Sequence, residues 1–309
     1  MRTVVIANPQ AGGGRVGRRW EHYKGSAVKV FAPTEMCLTT RRGEACDLVR
    51  RAIVQGAQRI VVIGGDGTVN EAVNGFFDGE RPIGANVVLA VCAAGTGGDF
   101  VRTLGISGLS MEAAFAGAVV RRVDLGRASF TALDGSRQSR YFLNIASLGS
   151  SAVVVERVNR TSKRFGAKCA FYVGTLRGLA AYRNQAMQLS TQDGASFGAV
   201  INTVAIANGR YFGGGMMIAP HGRLDDGLLD VVVVGDVGVA KFIAHSHRLY
   251  CGTHLDLPFV CSYVARTLDV SASGDSAVLV ELDGELVGAL PAKFEVLPSV
   301  LLLLAPPAQ

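Results

Sequence analysis

The sequence predicts an α/β protein in which an N-terminal doubly wound parallel sheet precedes a second, larger β-rich domain of sandwich-like character. Short, continuously apolar strands alternate with helical segments in the first part of the chain, and strands with tight-turn dipeptides dominate afterwards. Continuous apolar strands are typical of a parallel sheet covered on both faces. The 309 residues include 39 glycines without a Gly-X-Y period, which excludes collagen and makes the positions of the glycines informative.

The first domain, residues 1–124, begins with a β-branched strand that ends at Asn8-Pro9. Apolar residues at helical spacing between residues 42 and 56 indicate a helix, and a second helix is expected from Thr68 to Phe76. The strands of this domain are predicted at Thr3–Ala7, Ala27–Phe31, Arg59–Ile63 and Asn86–Cys92. Together these elements predict a βαβ domain.

The second domain, residues 125–299, is marked by the turn dipeptides Asp134-Gly135, Asp193-Gly194 and Asp283-Gly284. A basic helical region between residues 155 and 183 interrupts its strands. Those strands are predicted at Val200–Ala207, Leu228–Val234, Val264–Val270 and Val278–Leu282. The final segment, about residues 300–309, contains a fully apolar strand, which we expect to pack back on the first domain.

Composition narrows the class of protein. The six cysteines form no Cys-x-x-Cys pair and are expected to be small buried hydrophobes in a reducing compartment. The apolar run at the N-terminus is too short for a signal peptide, and no stretch approaches the length of a membrane span. We therefore expect a cytoplasmic protein. Its formal net charge of +6 indicates anionic partners.

The string from Gly64 to Glu71, Gly-Gly-Asp-Gly-Thr-Val-Asn-Glu, is the strongest functional signal. It lies between a buried strand and a helix, at the edge where open α/β sheets bind ligands. Three glycines allow backbone N–H groups to approach a phosphate, and the helix directs its positive end to the same place. Asp66 suits a Mg²⁺ ion placed between the loop and the phosphates. The alternative is a tight turn with Asp66 as a helix cap.

Two further glycine loops follow other strands. Ala94 to Phe100 again places small residues, a hydroxyl and an aspartate before a predicted helix, and Asn8 to Gly14 follows the first strand. Convergence of three such loops on one sheet edge indicates phosphate binding. Gly12, Gly14 and Gly17 also satisfy the dinucleotide fingerprint G-x-G-x-x-G, which keeps an NAD-dependent oxidoreductase as a distant alternative.

These elements resemble the diacylglycerol kinase catalytic-domain family, soluble bacterial lipid kinases related to sphingosine and ceramide kinases. The resemblance covers essentially the whole chain in family order. Besides the loops above, it rests on Val123 to Gly126, Asn144 to Gly149, Gly213 to Pro220, Asp225 to Asp230 and Asp283-Gly284-Glu285. It implies a nucleotide-binding domain and a β-rich lipid-substrate domain with the active site between them.

The resemblance also implies roles for individual residues. ATP and Mg²⁺ would be the cofactors. Asp66, Asp99 and Asp124 would surround Mg²⁺, and Asp226 would hold a second metal with backbone carbonyls near Arg223 and Leu228. Asp283 matches the general base of the family, with Glu285 beside it. The residues expected to hold ATP are Asn8, Thr39, Gly64, Gly65, Asp66, Gly67, Thr68, Glu71, Gly95 and Thr96.

Two positions, Asp283 and Gly98, leave alternatives open. From its own segment alone, Asp283 fits an ordinary hairpin turn as well as a base. The family commonly has asparagine where this chain has Gly98. That change is compatible with a shifted substrate, a weaker enzyme, or glycine replacing asparagine at a positive-φ position.

The partners expected from the sequence are a lipid substrate and a membrane surface. A basic segment would bind anionic headgroups at the inner face of the membrane through Arg157, Arg160, Lys163, Arg164 and Lys168, unless it is simply a solvated helix face. No nucleic-acid motif is present, and His245, His247 and His254 are expected to be satisfied or surface residues rather than metal ligands. A homodimer is left open.

The sequence thus predicts an ATP- and Mg²⁺-dependent lipid kinase acting on diacylglycerol. The alternatives are a ceramide, sphingoid-base or phosphatidylglycerol kinase, and a non-catalytic, nucleotide-responsive lipid-binding protein.

Overall fold

The computed structural model describes residues 1–94, 98–154, 182–274 and 276–307. These residues form two compact units. The first comprises Met1–Leu125 with Pro298–Gln309, and the second comprises Gly126–Leu297.

The first unit is built on a parallel sheet. Its strands are β1 (Thr3–Ala7), β2 (Glu35–Leu38), β3 (Arg59–Gly64) and β6 (Val88–Ala93), with a small hairpin of β4 (Phe77–Asp78) and β5 (Arg81–Pro82). The order is β6-β3-β1-β2. Leu302–Leu304 of the last strand, β18 (Glu285–Ala305), pair in parallel with Val88–Ala90. The helices are α1 (Ala11–Arg18), α2 (Trp20–Phe31), α3 (Glu44–Val54), α4 (Asp66–Asn74), α5 (Asp99–Thr103) and α6 (Met111–Phe115).

One strand of the first unit was predicted wrongly. Residues 27–31 continue α2, and the second strand of the sheet is Glu35–Leu38. Ala27 and Phe31 lie one helical turn apart and are both buried against the core beneath the sheet. The strand propensity of this short run is therefore overridden by packing of a longer helix.

The second unit is an antiparallel, β-rich structure. Its strands run in the order β15-β14-β11-β10-β16-β18, and β9 pairs with both β11 and β17. They are β7 (Val119–Ala132, shared with the first unit), β8 (Arg137–Phe142), β9 (Ile145–Gly149), β10 (Gln185–Thr191), β11 (Ser196–Ala207), β12 (Tyr211–Phe212), β13 (Met216–Met217), β14 (Leu229–Gly235), β15 (Val260–Ala265), β16 (Thr267–Ala272), β17 (Leu279–Leu282) and β18 (Glu285–Ala305, also shared). Two short helices, α7 (Val239–His245) and α8 (His247–Cys251), and a 3-10 turn (His254–Asp256) connect β14 to β15.

The predicted strand from Val264 to Val270 is two strands that meet at Arg266. Residues before Arg266 pair with β14, whereas residues after it pair with β10 and β18. Among the cysteines, Cys92 is buried as expected, but Cys251 and Cys261 are exposed, so the expectation that all are buried is wrong. Cys169 lies outside the described residues.

Within the described residues, no helix is both long and apolar enough to cross a membrane.

Candidate functional site

The carboxyl ends of the parallel strands bring the predicted loops to one edge of the sheet. Asn8 donates its backbone N–H to Ile63 at 3.0 Å, and Thr39 donates to Ala7 at 2.9 Å. Ala94 donates to Gly64 at 3.0 Å. The residues that follow β1, β2, β3 and β6 are thereby neighbours, as a parallel sheet requires.

The Gly64–Thr68 turn is shaped by close packing. A Cβ on Gly64 would lie 2.6 Å from the Thr68 Cβ, so a side chain there would displace Thr68. The amide Nδ2 of Asn8 donates to the Thr68 hydroxyl at 3.0 Å. Gly65 precedes α4 in an extended conformation, which leaves the first N–H groups of a nine-residue helix facing the loop. Asn8 and the Gly64–Thr68 loop are therefore one constellation.

A run of left-handed glycines follows β1. Gly12, Gly13 and Gly14 have φ values of 63°, 69° and 81°, which residues with a side chain rarely adopt. A Cβ on Gly12 would lie 2.6 Å from the Ala94 carbonyl oxygen, and the Arg15 guanidinium reaches that oxygen at 3.5 Å. This packing joins the first loop to the end of β6 and adds positive charge at the same edge.

Asp66 and Asp99 are brought together. The Asp66 carboxylate accepts the backbone N–H groups of Asp99 at 3.2 Å and Phe100 at 3.3 Å, which open α5. Asp99 forms a 2.7 Å ion pair with Arg102. The residue before Asp99, Gly98, has φ +63°. Asp66 therefore positions the start of α5 as well as carrying charge in the loop.

Three other predicted residues have structural partners of their own. Buried Asp124 accepts the backbone N–H of Ser299 at 2.7 Å. Glu71 accepts the N–H groups of Gly43 at 2.8 Å and Ala45 at 3.3 Å, so it caps the start of α3. Thr39 is buried and donates its backbone N–H to Ala7. The sequence did not reveal the Glu71–Gly43 contact, because it joins segments 28 residues apart.

The Asp225–Asp230 turn forms an acidic cluster in the second unit. Asp226 accepts the N–H of Leu228 at 3.0 Å, and Asp225 pairs with Arg223 at 3.4 Å. Burial raises the pKa of Asp230, and the nearby Asp226 carboxylate acts in the same direction, against smaller opposite effects of His221 and Arg210. Neighbouring carboxylates of this kind are one property of a cation site.

Among the described residues, no group of three or more His, Cys, Asp and Glu side chains could hold a metal ion. A site formed by one carboxylate and backbone carbonyls needs no such group. Mg²⁺ held by one or two carboxylates together with substrate phosphates needs none either. The predicted metal ligands therefore remain predictions.

Asp283 lies at the turn between β17 and β18 with φ +48°. Its carboxylate accepts the backbone N–H groups of Leu143 at 2.9 Å, Asn144 at 3.0 Å and Ile145 at 2.9 Å. These three donors fix the orientation of the carboxylate and stabilise its negative charge. Glu285 pairs with Arg140 at 3.4 Å.

A second acid near this turn was not predicted. Glu281 is buried and contacts the Ser147 hydroxyl and the N–H of Gly284. Its position two residues before Asp283, on the strand that leads into the turn, is the only sequence signal that could have found it.

Some predicted site residues cannot be placed. Gly95 and Thr96 lie outside the described residues, as do the five cations of the basic segment: Arg157, Arg160, Lys163, Arg164 and Lys168.

The edge of the first unit can bind an anion. It combines left-handed glycines, the N–H groups of a helix N-terminus and buried hydroxyls, the features that surround phosphates in α/β proteins. In the second unit, the Asp283 turn offers a fixed carboxylate.

Comparison with known proteins matches both parts of the chain. Residues 2–128 match the diacylglycerol kinase catalytic domain, and residues 144–305 match the YegS C-terminal NAD kinase beta sandwich-like domain. The chain is 28% identical over 267 residues to the diacylglycerol kinase of Mycobacterium tuberculosis, covering 85% of this chain and 82% of that protein. It is 26% identical to the diacylglycerol kinase of Bacillus subtilis, covering 95% and 92% respectively.

The fold also matches a solved structure. The crystal structure of a diacylglycerol kinase from Bacillus anthracis superposes with a TM-score of 0.70 at 21% identity, covering 99% of this chain and 97% of that one. This likeness shows the shared fold.

Proposed function

Because the chain belongs to the diacylglycerol kinase family and is a lipid kinase, we propose that it transfers the γ-phosphoryl group of ATP to the hydroxyl of diacylglycerol with the help of Mg²⁺. In this proposal the first unit, residues 1–125 and 298–309, binds the nucleotide. The second unit, residues 126–297, binds the lipid acceptor.

The observation that carries the nucleotide half is the Asn8–Thr68 constellation. A hydrogen bond between Asn8 and Thr68 joins two loops. Gly64, Gly65 and Gly67 lie beside it, and because glycine has no side chain, a phosphate can approach their backbone. Such a cradle binds the phosphates of a nucleotide through backbone N–H groups. Thr39 and Glu71 support it by fixing the ends of β2 and α3, and Gly95 and Thr96 would complete it.

Asp66 and the Asp226 turn fit Mg²⁺ by the chemistry of their donors. Mg²⁺ prefers hard oxygen ligands and needs few of them from the protein when it also binds phosphates. Asp66 supplies such oxygens in the phosphate loop, with Asp99 and Asp124 as additional acids. Asp226, with carbonyls near Arg223 and Leu228, would hold a second ion. When bound, Mg²⁺ neutralises phosphate charge during transfer.

Asp283 is proposed to accept the proton of the lipid hydroxyl on a carboxylate oxygen, with Glu285 beside it. The three backbone N–H groups on Asp283 set the direction of its carboxylate. Phosphoryl transfer depends mostly on positioning and electrostatics, so the orientation of the base matters.

The acceptor is the least constrained part of the proposal. Ceramide, a sphingoid base or phosphatidylglycerol would present the same hydroxyl chemistry. Gly98 lacks the amide that the resemblance leads one to expect beside the phosphate loop, and it favours no single acceptor. Membership of a kinase family argues against the non-catalytic alternative.

The partners proposed are a membrane surface, reached peripherally, and its anionic headgroups. The basic residues from Arg157 to Lys168 are the proposed headgroup contacts, although they lie outside the described residues. A homodimer is compatible with this proposal and is not required by it.

The experiment is a labelling assay with γ-labelled ATP, Mg²⁺ and micelles containing diacylglycerol, ceramide, sphingosine or phosphatidylglycerol. We expect labelled phosphatidic acid to be the main product. Label on another lipid alone would replace diacylglycerol as the acceptor, and ATP binding without label on any lipid would contradict the proposal.

The Asp283→Asn variant tests the proposed base, and Asp134→Asn is the matched control because Asp134 lies in an exposed turn of the same unit. Asp283→Asn is expected to lower the rate about hundred-fold, within the usual range for general bases. An unchanged rate would remove Asp283 from this role.

A further inference from the structure

The second unit has an exposed apolar surface that contains none of the proposed nucleotide-binding, metal-binding or catalytic residues. It consists of Phe212, Met216 and Met217 on the β12–β13 hairpin and of Ile243 and Tyr250 on α7 and α8; we call it the hairpin platform. Ile243 is 44% exposed and Tyr250 is 54% exposed, whereas the hairpin side chains are partly exposed.

The hairpin of the platform carries apolar side chains on both sides of a glycine turn. Its turn is Gly213-Gly214-Gly215, with φ values of 59°, 85° and 111°. Phe212 and Met216 are directly opposite each other in the two-stranded ladder. Aromatic and methionine side chains beside a glycine turn can adjust to an irregular apolar phase.

The two helices pack beside the hairpin. A Cβ on Gly252, at the end of α8, would lie 2.8 Å from the Met217 sulfur. Phe212, Met216 and Phe242 pack on the same small core, which contains Leu249. Helix α7 has no buried residue. Ile243 and Tyr250 are exposed to solvent, although Phe242 and Leu249, their neighbours in the chain, pack on this core.

The charged side chains of the helical part of the platform are cations. Between Gly238 and Gly252 the chain carries Lys241 and Arg248 and no Asp or Glu. The Lys241 ammonium lies 4.9 Å from the centre of the Phe259 ring, and Arg248 pairs with Asp256 at 3.4 Å. Exposed apolar and aromatic groups next to a cation match the boundary between acyl chains and anionic headgroups.

The platform is connected to the Asp283 turn. The Asn144 N–H donates to Asp283 at 3.0 Å, and its side-chain amide donates to the carbonyl of Tyr211 at 2.7 Å. Tyr211 pairs with Met217 in the hairpin. One residue thus joins the proposed base to the hairpin, so a surface that binds a bilayer here places the lipid near that base.

We propose that the hairpin platform docks on the surface of an anionic lipid bilayer and thereby presents the lipid acceptor to the Asp283 turn. The inference rests on the proposed function, because it concerns the surface through which the proposed lipid acceptor is reached. The bilayer is the occupant that both the exposed apolar groups and Lys241 favour.

Vesicle co-sedimentation tests the platform. The full chain is mixed with vesicles of phosphatidylcholine, or of phosphatidylcholine and phosphatidylglycerol in equal parts. The double variant Ile243→Asp/Tyr250→Asp is expected to bind the mixed vesicles at least about ten-fold more weakly than wild type, because it loses apolar insertion and adds negative charge. The matched control is Leu133→Asp/Val264→Asp, since Leu133 and Val264 are exposed outside the platform.

Two further variants separate the contribution of the positive charge from that of the hairpin. Lys241→Ser is expected to weaken binding to the mixed vesicles more than binding to phosphatidylcholine alone. Phe212→Ser tests the hairpin itself, with circular dichroism and a thermal melt to show that each variant is folded. Wild-type binding by the folded platform variants, or an equal loss in the control variant, would overturn the proposal.

An activity arm separates this inference from the proposed function. With a short-chain diacylglycerol dissolved below its micelle concentration, the platform variants are expected to keep the wild-type rate, and with vesicle-embedded diacylglycerol to lose it. If the platform variants and wild type phosphorylated vesicle-embedded diacylglycerol at equal rates, the docking proposal alone would be overturned. No phosphorylation by wild type in either form would overturn the kinase proposal, while the sedimentation results would still decide the platform.

Discussion

At the residue scale, Asp283 combines a structural role with its proposed chemical one. Its carboxylate is nearly buried and accepts three backbone N–H groups from residues 143–145. Asp283→Ala leaves those donors without partners and keeps a φ of +48° that alanine disfavours. We expect the free energy of unfolding in urea to fall by about 3 kcal/mol. A loss no larger than that of the exposed control Asp134→Ala would contradict this account.

The backbone conformation of Gly98 predicts how two substitutions there change the stability of the protein. Its φ of +63° is left-handed, and an added Cβ would lie 3.2 Å from a Val101 methyl. Gly98→Ala is expected to destabilise the protein by about 1–2 kcal/mol, and Gly98→Asn by less, because asparagine tolerates this region better. Urea unfolding of the two variants measures the difference. If asparagine cost more than alanine, the positive-φ explanation of the glycine would be wrong.

Single residues were only partly predictable from the sequence. The Gly64–Thr68 loop could be found because three of its first four residues are glycines at the end of an apolar strand. Glu281 could not, because its partners Ser147 and Gly284 come together only when β17 pairs with β9. The positive φ of Gly98 was one of three alternatives, and only backbone geometry distinguishes it.

At the element scale, a glycine inside α2 and a glycine directly after α4 are expected to respond oppositely to replacement by alanine. Gly25 is exposed within α2 and has open space around it, whereas a Cβ on Gly75 would lie 2.6 Å from the Cys46 carbonyl oxygen. Gly25→Ala is expected to raise the free energy of unfolding by about 1 kcal/mol. Gly75→Ala is expected to lower it by about 1–3 kcal/mol. Destabilisation by Gly25→Ala would show that residues 20–31 are not a helix.

A buried histidine links the 3-10 turn to the segment after β13. The Nε2 of His254 lies 3.0 Å from the carbonyl oxygen of Ile218. Burial lowers the pKa of His254 despite that hydrogen bond; Arg248 acts with burial and Asp256 against it. Below the ordinary histidine pKa of about 6.5, the unfolded chain binds a proton that the folded protein does not, so stability falls as pH falls through this range.

The pH effect has a matched test. The loss of unfolding free energy between about pH 7.5 and about pH 5.5 is expected to be smaller in His254→Gln than in wild type, and unchanged in His247→Gln, since His247 is exposed. An equal loss in all three proteins would exclude His254 as the source.

Elements with a strong pattern were predictable, and short ones were not. β1, β3 and β6 are continuous apolar runs next to turn residues, and the structure has them close to their predicted bounds. Residues 27–31 look like a strand in isolation. Their helical conformation depends on the preceding residues from Trp20 and on burial of Phe31, which a five-residue window does not contain.

At the scale of the whole molecule, the fold class follows from the order of apolar strands, helices and turn dipeptides. Leu302–Leu304 of the last apolar strand pair in parallel with β6 of the first unit. The long strands β7 and β18 could not be foreseen, because each belongs to both units and changes partners along its length.

The central claim is that the glycine-rich edge of the first unit delivers the phosphoryl group of ATP to diacylglycerol. The most direct measurement is the initial rate of labelled phosphatidic acid formation from γ-labelled ATP, Mg²⁺ and diacylglycerol, for wild type and for folded Asp66→Asn. Because Asp66 carries the charge of the phosphate loop, we predict rapid formation by wild type and a fall of at least about hundred-fold in the variant. No labelled lipid from wild type, or equal rates for the two proteins, would contradict the claim.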